Sequence, residues 1–205
     1  MNNTFSENGN AVKPGPVVRR ICLFASGSGS NAEKIIDYFR DSSEVEIAGI
    51  FTNNKNSPLL SIATENAVPV FCFSREELYE KAAVEEMLSH LKPDLIVLAG
   101  FLWLMPPVLV KRYGGRILNI HPALLPKFGG KGMYGMKVHE AVIAAGEKES
   151  GMTVHVIDEE YDKGEIIFQQ SVAVPGSEPS ALQAAVLDLE HRHYAGVIHD
   201  FLKTL

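Results

Sequence analysis

Apolar positions along this chain alternate between runs that suit a strand and spacings that suit a helix. Ile21, Cys22, Leu23 and Phe24 predict a first strand over residues 20–24. Ile35, Ile36 and Phe39 then fall at helical spacing and predict a helix over 31–40, with Ser30 as its N-cap. The pattern repeats: strand 45–51, a helix opened by Ser57-Pro58 and reaching about 66, then strand 68–73. The capping-box series Ser74-Arg75-Glu76-Glu77 predicts one helix to about 90, and a fourth strand follows over 95–99. Residues 100–105 read as a loop, 106–113 as a short helix opened by Pro106, and 116–120 as a fifth strand. A Gly-rich loop (128–135), a helix (138–145), strands 153–157 and 165–174 around an acidic turn, and a final helix to about 202 complete the prediction. Strands apolar on both faces, each followed by a helix, predict an α/β doubly wound fold with a mostly parallel sheet.

Two polar side chains interrupt this pattern where the fifth strand closes, in Leu118-Asn119-Ile120-His121-Pro122. Residues two apart on a strand share a face, so Asn119 and His121 aim an amide and an imidazole at one small volume. Pro122 ends the ladder. The carboxyl end of such a strand is where α/β enzymes place their chemistry. A second candidate follows the first strand, in Gly27-Ser28-Gly29-Ser30-Asn31-Ala32. Glycines there admit a ligand close to backbone, and a helix N-terminus offers unpaired N–H groups to a phosphate. A nicotinamide enzyme with this loop should carry an acid at the end of the second strand. Thr52-Asn53-Asn54 stands there instead, which favours a mononucleotide phosphate and counts against a dinucleotide oxidoreductase.

The remaining histidines have plainer readings. His191 and His193 are two apart on a helix and face different ways, which argues against a shared metal. His155 reads as a hydrogen-bonded core histidine of its strand, and His90 and His199 lie near helix C-termini.

Composition narrows the class. The 205 residues, 46% hydrophobic and 21% charged, suit one domain with a sizeable core. Residues 1–18 read as a flexible leader, and 19–205 as one domain with a nucleotide-binding half (19–120) and a catalytic half (121–205). No run approaches the roughly 18 apolar residues of a membrane-spanning helix, and the polar start argues against secretion, so a cytoplasmic protein is expected. Net charge of −6 without a basic cluster argues against nucleic acid. Cys22 and Cys72, in apolar runs, read as small buried hydrophobes.

Four segments in order, Ala25-Ser26-Gly27-Ser28-Gly29-Ser30-Asn31, Leu98-Ala99-Gly100-Phe101, Leu118 through Phe128, and Gly151-Met152-Thr153-Val154-His155, resemble the glycinamide ribonucleotide formyltransferase family. The block from Asn119 to Lys127 is shared by enzymes that use 10-formyltetrahydrofolate, including methionyl-tRNA formyltransferase and formyltetrahydrofolate deformylase. It implies the chemistry and not the acceptor. The phosphate loop, together with the absence of an extra tRNA-binding or regulatory domain, makes glycinamide ribonucleotide the expected acceptor.

The resemblance implies catalytic roles for Asn119, His121 and Asp162. It implies phosphate contacts from Gly29, Ser30 and Asn31, and a nucleotide contact from Glu190. Arg75, Leu102, Trp103, Leu104, Met105, Asp158, Glu159, Glu160 and Tyr161, with Asn119, match the folate side. The implied enzyme is a monomer or homodimer of small-molecule partners, with no metal. Physical reasoning alone leaves the acid open, because Asp158, Glu159 and Glu160 are as near in sequence as Asp162. In the implied mechanism Asn119 and a protonated His121 stabilise an oxyanion, and the acid favours the charged ring. Two departures stand out: Trp103 where the family often has Arg, and the long 129–136 loop. His139 aligns with a family histidine and is expected to help orient substrate. Formyl-folate hydrolysis and a catalytically silent nucleotide-binding protein remain rival expectations.

Overall fold

The computed structural model describes residues 18–205, so all of the expected leader except Val18 lies outside the described residues. Its elements are β1 (Arg19–Ala25), α1 (Ser30–Phe39), β2 (Val45–Thr52), α2 (Leu59–Glu65), β3 (Val70–Cys72), α3 (Arg75–Tyr79) and α4 (Ala83–Leu91). They continue with β4 (Leu95–Leu98), α5 (Pro107–Arg112), β5 (Ile117–His121), α6 (Met136–Ala144), β6 (Glu149–Val156), β7 (Ile166–Ala173) and α7 (Pro179–Leu202). The sheet order is β3-β2-β1-β4-β5-β6-β7. From β3 to β5 every pairing is parallel, and β6 and β7 add antiparallel. The expected mostly parallel, doubly wound sheet is therefore present.

Alternation along each strand feeds two layers. Ile21, Leu23 and Ala25 of β1 pack with α1, α2 and α7 residues, while Cys22 and Phe24 enter the opposite core beside Leu88 and Leu109. On β5, Ile117 joins that second core, and the same parity further along the strand brings Asn119 and His121 to the sheet's carboxyl edge. The chain order reverses between β1 and β4, and the loops after β1, β4 and β5 converge there, where open α/β sheets bind ligands.

Three local expectations fail. The single helix predicted from 75 to 90 is two, broken at Ala82 with φ of 53°. Leu78 and Val84 lie on different stripes of one continuous helix, and the break rephases the chain so that both are buried. Ser30 is the first helical residue; Gly29 holds the N-cap position with no side-chain cap. Cys22 is buried, but Cys72 is exposed, because β3 is short and lies at the sheet edge. Among the described residues no helix is long and apolar enough to cross a membrane.

Candidate active site

A cleft of about 550 Å3 opens along the carboxyl ends of β1, β4 and β5. Ser28, Ser30 and Asn31 line one end, Leu102 to Met105 a second wall, and Asn119 and His121 the floor between them. The first loop is braced from beneath: Ser57 Oγ donates to the Gly27 carbonyl at 2.8 Å, and Ser26 Oγ accepts the Leu102 N–H at 3.1 Å. The segment after β2, where a dinucleotide enzyme would place its acid, thus holds the loop instead. Gly29 has φ of 82°, and a Cβ there would meet Leu59 at 2.9 Å, so the backbone turns into α1 only as glycine. With no side-chain cap, the opening N–H groups of α1 are free to hold an anion.

The register of β5 on β6 sets the chemistry. Asn119 lies opposite His155, and its Nδ2 is 3.0 Å from His155 Nε2. His155 Nδ1 is 3.2 Å from the Val156 carbonyl, so one side of the ring faces backbone and the other, Nε2, faces the Asn119 amide. Nδ2 of Asn119 keeps a second N–H. His121 lies opposite Thr153, whose hydroxyl donates to the Ala123 carbonyl at 2.6 Å and accepts the Leu125 N–H at 3.0 Å. That clamp fixes the chain just after His121.

Asp162 reaches both histidines, 3.6 Å from His121 Nδ1 and 3.6 Å from His155 Nε2. Its φ of 55° is a left-handed turn that Asp tolerates better than most residues. Asp158, Glu159 and Glu160 are exposed, and Asp158 spends an oxygen on the Glu160 N–H. Of the four acids left open by the sequence, Asp162 is the one within reach of the two imidazoles.

His121 Nε2 lies 2.8 Å from the Phe128 carbonyl, and Gly130 donates its N–H to Asp162 at 2.8 Å. Burial lowers the His121 pKa below 6.5, and Asp162 and the Phe128 carbonyl only partly oppose it. The expected net rise from the carboxylate is thus corrected: in the free protein, desolvation wins. Asp162 is held below the usual carboxylate range, because its hydrogen bonds and the two imidazoles outweigh burial.

At the far end Asn31 Nδ2 donates to Glu190 Oε2 at 2.6 Å, joining α1 to α7. Glu190 is buried, which pushes its pKa up to about 7. Asn31 Oδ1 and His139 Nδ1 are buried without a partner. Both residues line the cleft, although these two atoms are turned away from solvent. Arg75 does not line it; its guanidinium stacks on Tyr79 and Trp103 at the rim. Glu159 also stays outside the lining, while Trp103, Asp158, Glu160 and Tyr161 are within it. His155, read as a core histidine, is buried and bonded as expected, but its partners are the site itself. Only the β5–β6 register shows this, although the segment Gly151 to His155 already carried a family signature.

A sequence model of the formyl transferase family matches residues 19–198. The chain belongs to the formyl transferase family. It is 40% identical over 190 residues to the chloroplastic phosphoribosylglycinamide formyltransferase of Arabidopsis thaliana, a match covering 89% of this chain and 65% of that one. Under two thirds of that plant relative's length is therefore represented here. The phosphoribosylglycinamide formyltransferase of Haemophilus influenzae is 33% identical, with 90% and 87% of the two chains covered. The crystal structure of phosphoribosylglycinamide formyltransferase from Anaplasma phagocytophilum superposes with a TM-score of 0.83 at 31% identity, covering 91% of this formyl transferase chain and 88% of the other.

Proposed function

We propose that this protein transfers the formyl group of 10-formyltetrahydrofolate to the amine of 5-phosphoribosylglycinamide, a step of purine synthesis. The observation that carries the reading is the meeting, in one cleft, of Asn119, His121 and Asp162 with an uncapped helix N-terminus beside Ser30 and Asn31. Phosphate at that end and formyl-folate against the apolar wall of Phe101, Leu102, Trp103 and Met105 bring amine and formyl carbon together over β5. The co-substrate supplies the electrophilic formyl group.

Attack by the amine puts negative charge on the formyl oxygen. The free N–H of Asn119 Nδ2 is one donor; the second is the His121 Nε2–H, which must turn from the Phe128 carbonyl to the oxyanion. In the free enzyme His121 is held largely neutral by burial; an oxyanion beside the ring adds to Asp162 and draws the proton onto it. Asp162, ionised throughout, balances that imidazolium and orients the water that takes the proton the amine sheds; as the bond from the folate nitrogen to the formyl carbon breaks, that nitrogen takes the proton back from the water and leaves. His155 keeps the Asn119 amide oriented and is a positioning residue. Gly29, Ser30 and Asn31 hold the phosphate, Glu190 the ribose hydroxyls, and His139 the acceptor. On the folate side Leu102 to Met105 line the pterin pocket with Asp158, Glu160 and Tyr161, while Glu159 lies outside the lining and Arg75 stands at the rim for the folate tail. Small molecules are its proposed partners, as monomer or homodimer, and the cytoplasm its proposed compartment.

The test is formation of tetrahydrofolate from 10-formyltetrahydrofolate with and without glycinamide ribonucleotide. Product should appear only with the acceptor and in equal amount to formylated acceptor. Formate released at the same rate without the acceptor would make the protein a hydrolase.

A further inference from the structure

Asp158, Glu160, Asp162 and Glu190 line the cleft, against one lysine and no arginine among the described lining residues. That lysine is Lys131, in the loop between β5 and α6. Lys127 and Lys163, from neighbouring loops, pair with Glu147 and Glu160, whereas Lys131 makes no ion pair among the described residues. Gly130 and Gly132 flank it with φ of 97° and 92°, and a Cβ at either would meet nothing within 4 Å. Space therefore does not require glycine there; the left-handed backbone that presents Lys131 does.

The loop is tied down at its root. Phe128 receives His121 Nε2 on its carbonyl and packs its ring against Val142, Leu182 and Val186. Leu182 and Val186 belong to α7, the helix that carries Glu190 to Asn31. Lys131 thus leaves a root anchored both on His121 and on α7, the helix that also carries Glu190. The other candidate cation, Arg75, is stacked over Trp103 and Tyr79 on the folate side. A phosphate held only by uncharged N–H groups, in a cleft where acidic side chains outnumber cations, is left poorly neutralised. An ammonium on a flexible stem suits that deficit.

We propose that Lys131 is the cationic contact for the phosphate of the acceptor, closing over the N-terminus of α1. This rests on the acceptor reading above. Lys131→Gln and Lys131→Arg are compared with the unsubstituted protein while each substrate is varied in turn. Lys131→Gln should raise the acceptor KM about tenfold, the worth of one charged hydrogen bond, and flatten its salt dependence. The formyl-folate KM should stay unchanged, and Lys131→Arg should recover most of the loss. Binding of ribose 5-phosphate, followed by calorimetry, needs no turnover and should weaken by a similar factor in Lys131→Gln. Equal ribose 5-phosphate affinity in the two proteins, or a KM rise confined to formyl-folate, overturns the assignment. A protein inert toward glycinamide ribonucleotide but with weakened ribose 5-phosphate binding in Lys131→Gln would sink only the acceptor reading.

Discussion

His121 is held between opposing influences: burial favours its neutral ring, while Asp162 and the Phe128 carbonyl favour the charged one. Asp162→Asn removes the charge and keeps the size, so the ring loses its counter-ion and its pKa falls further. The substitution should cut kcat on the order of 10²–10³ at neutral pH, as loss of an oxyanion donor does, with little change in acceptor KM. Steady-state rates decide; a loss below about tenfold would show that the ring charges without Asp162. At this scale the site was legible in unequal parts. Strand parity alone put Asn119 and His121 on one face. Asp162 needed the turn geometry that brings it, and not Asp158 or Glu160, to the imidazoles. His155 needed the β5–β6 register, because its own strand says only which face it takes and never which residue lies opposite.

Elements were read better by type than by direction or extent. Five parallel strands followed from apolar runs separated by helical spacings, but nothing in a run tells whether a strand runs up or down. β7 runs antiparallel to β6 because only a short acidic turn joins them, too short for a crossover. β6 also starts at Glu149 and not Thr153, since Gly151 pairs with Ser171 of β7. That pairing explains the glycine. A Cβ at Gly151 would lie 2.1 Å from the Gln170 carbonyl oxygen and 2.8 Å from the Leu124 side chain. Gly151→Ala must push β7 or the segment after β5 outward, at about 1–3 kcal/mol, the usual cost of forcing a methyl into packed structure. Urea unfolding measures it; a midpoint equal to that of the unsubstituted protein would show that the two strands yield freely.

Across the whole molecule the first and last helices meet at one buried bond, Asn31 to Glu190. Its environment makes folding stability depend on pH in a direction opposite to that of a paired surface carboxylate. Burial raises the Glu190 pKa from 4.5 to about 7, so the folded state holds a proton that the unfolded state has released. The stabilisation this confers is fully present below about pH 4.5 and is lost as pH climbs through 7, where the folded protein must bury a charge. Glu190→Gln carries a neutral side chain of the same shape whose oxygen still accepts from Asn31. Relative to the unsubstituted protein it should therefore gain stability between pH 5 and pH 8, by at most about 3 kcal/mol for a rise of that size. Urea midpoints of both proteins at the two pH values test this. If the two lose or gain in parallel, the carboxyl is already ionised in the fold and the bond to Asn31 is an ordinary charged one. The same substitution separates stability from function, since an amide donates and accepts where the proposed ribose contact needs an acceptor alone. A protein that grows more stable at pH 8 while its acceptor KM rises would place Glu190 among residues kept for the ligand at a cost to the fold.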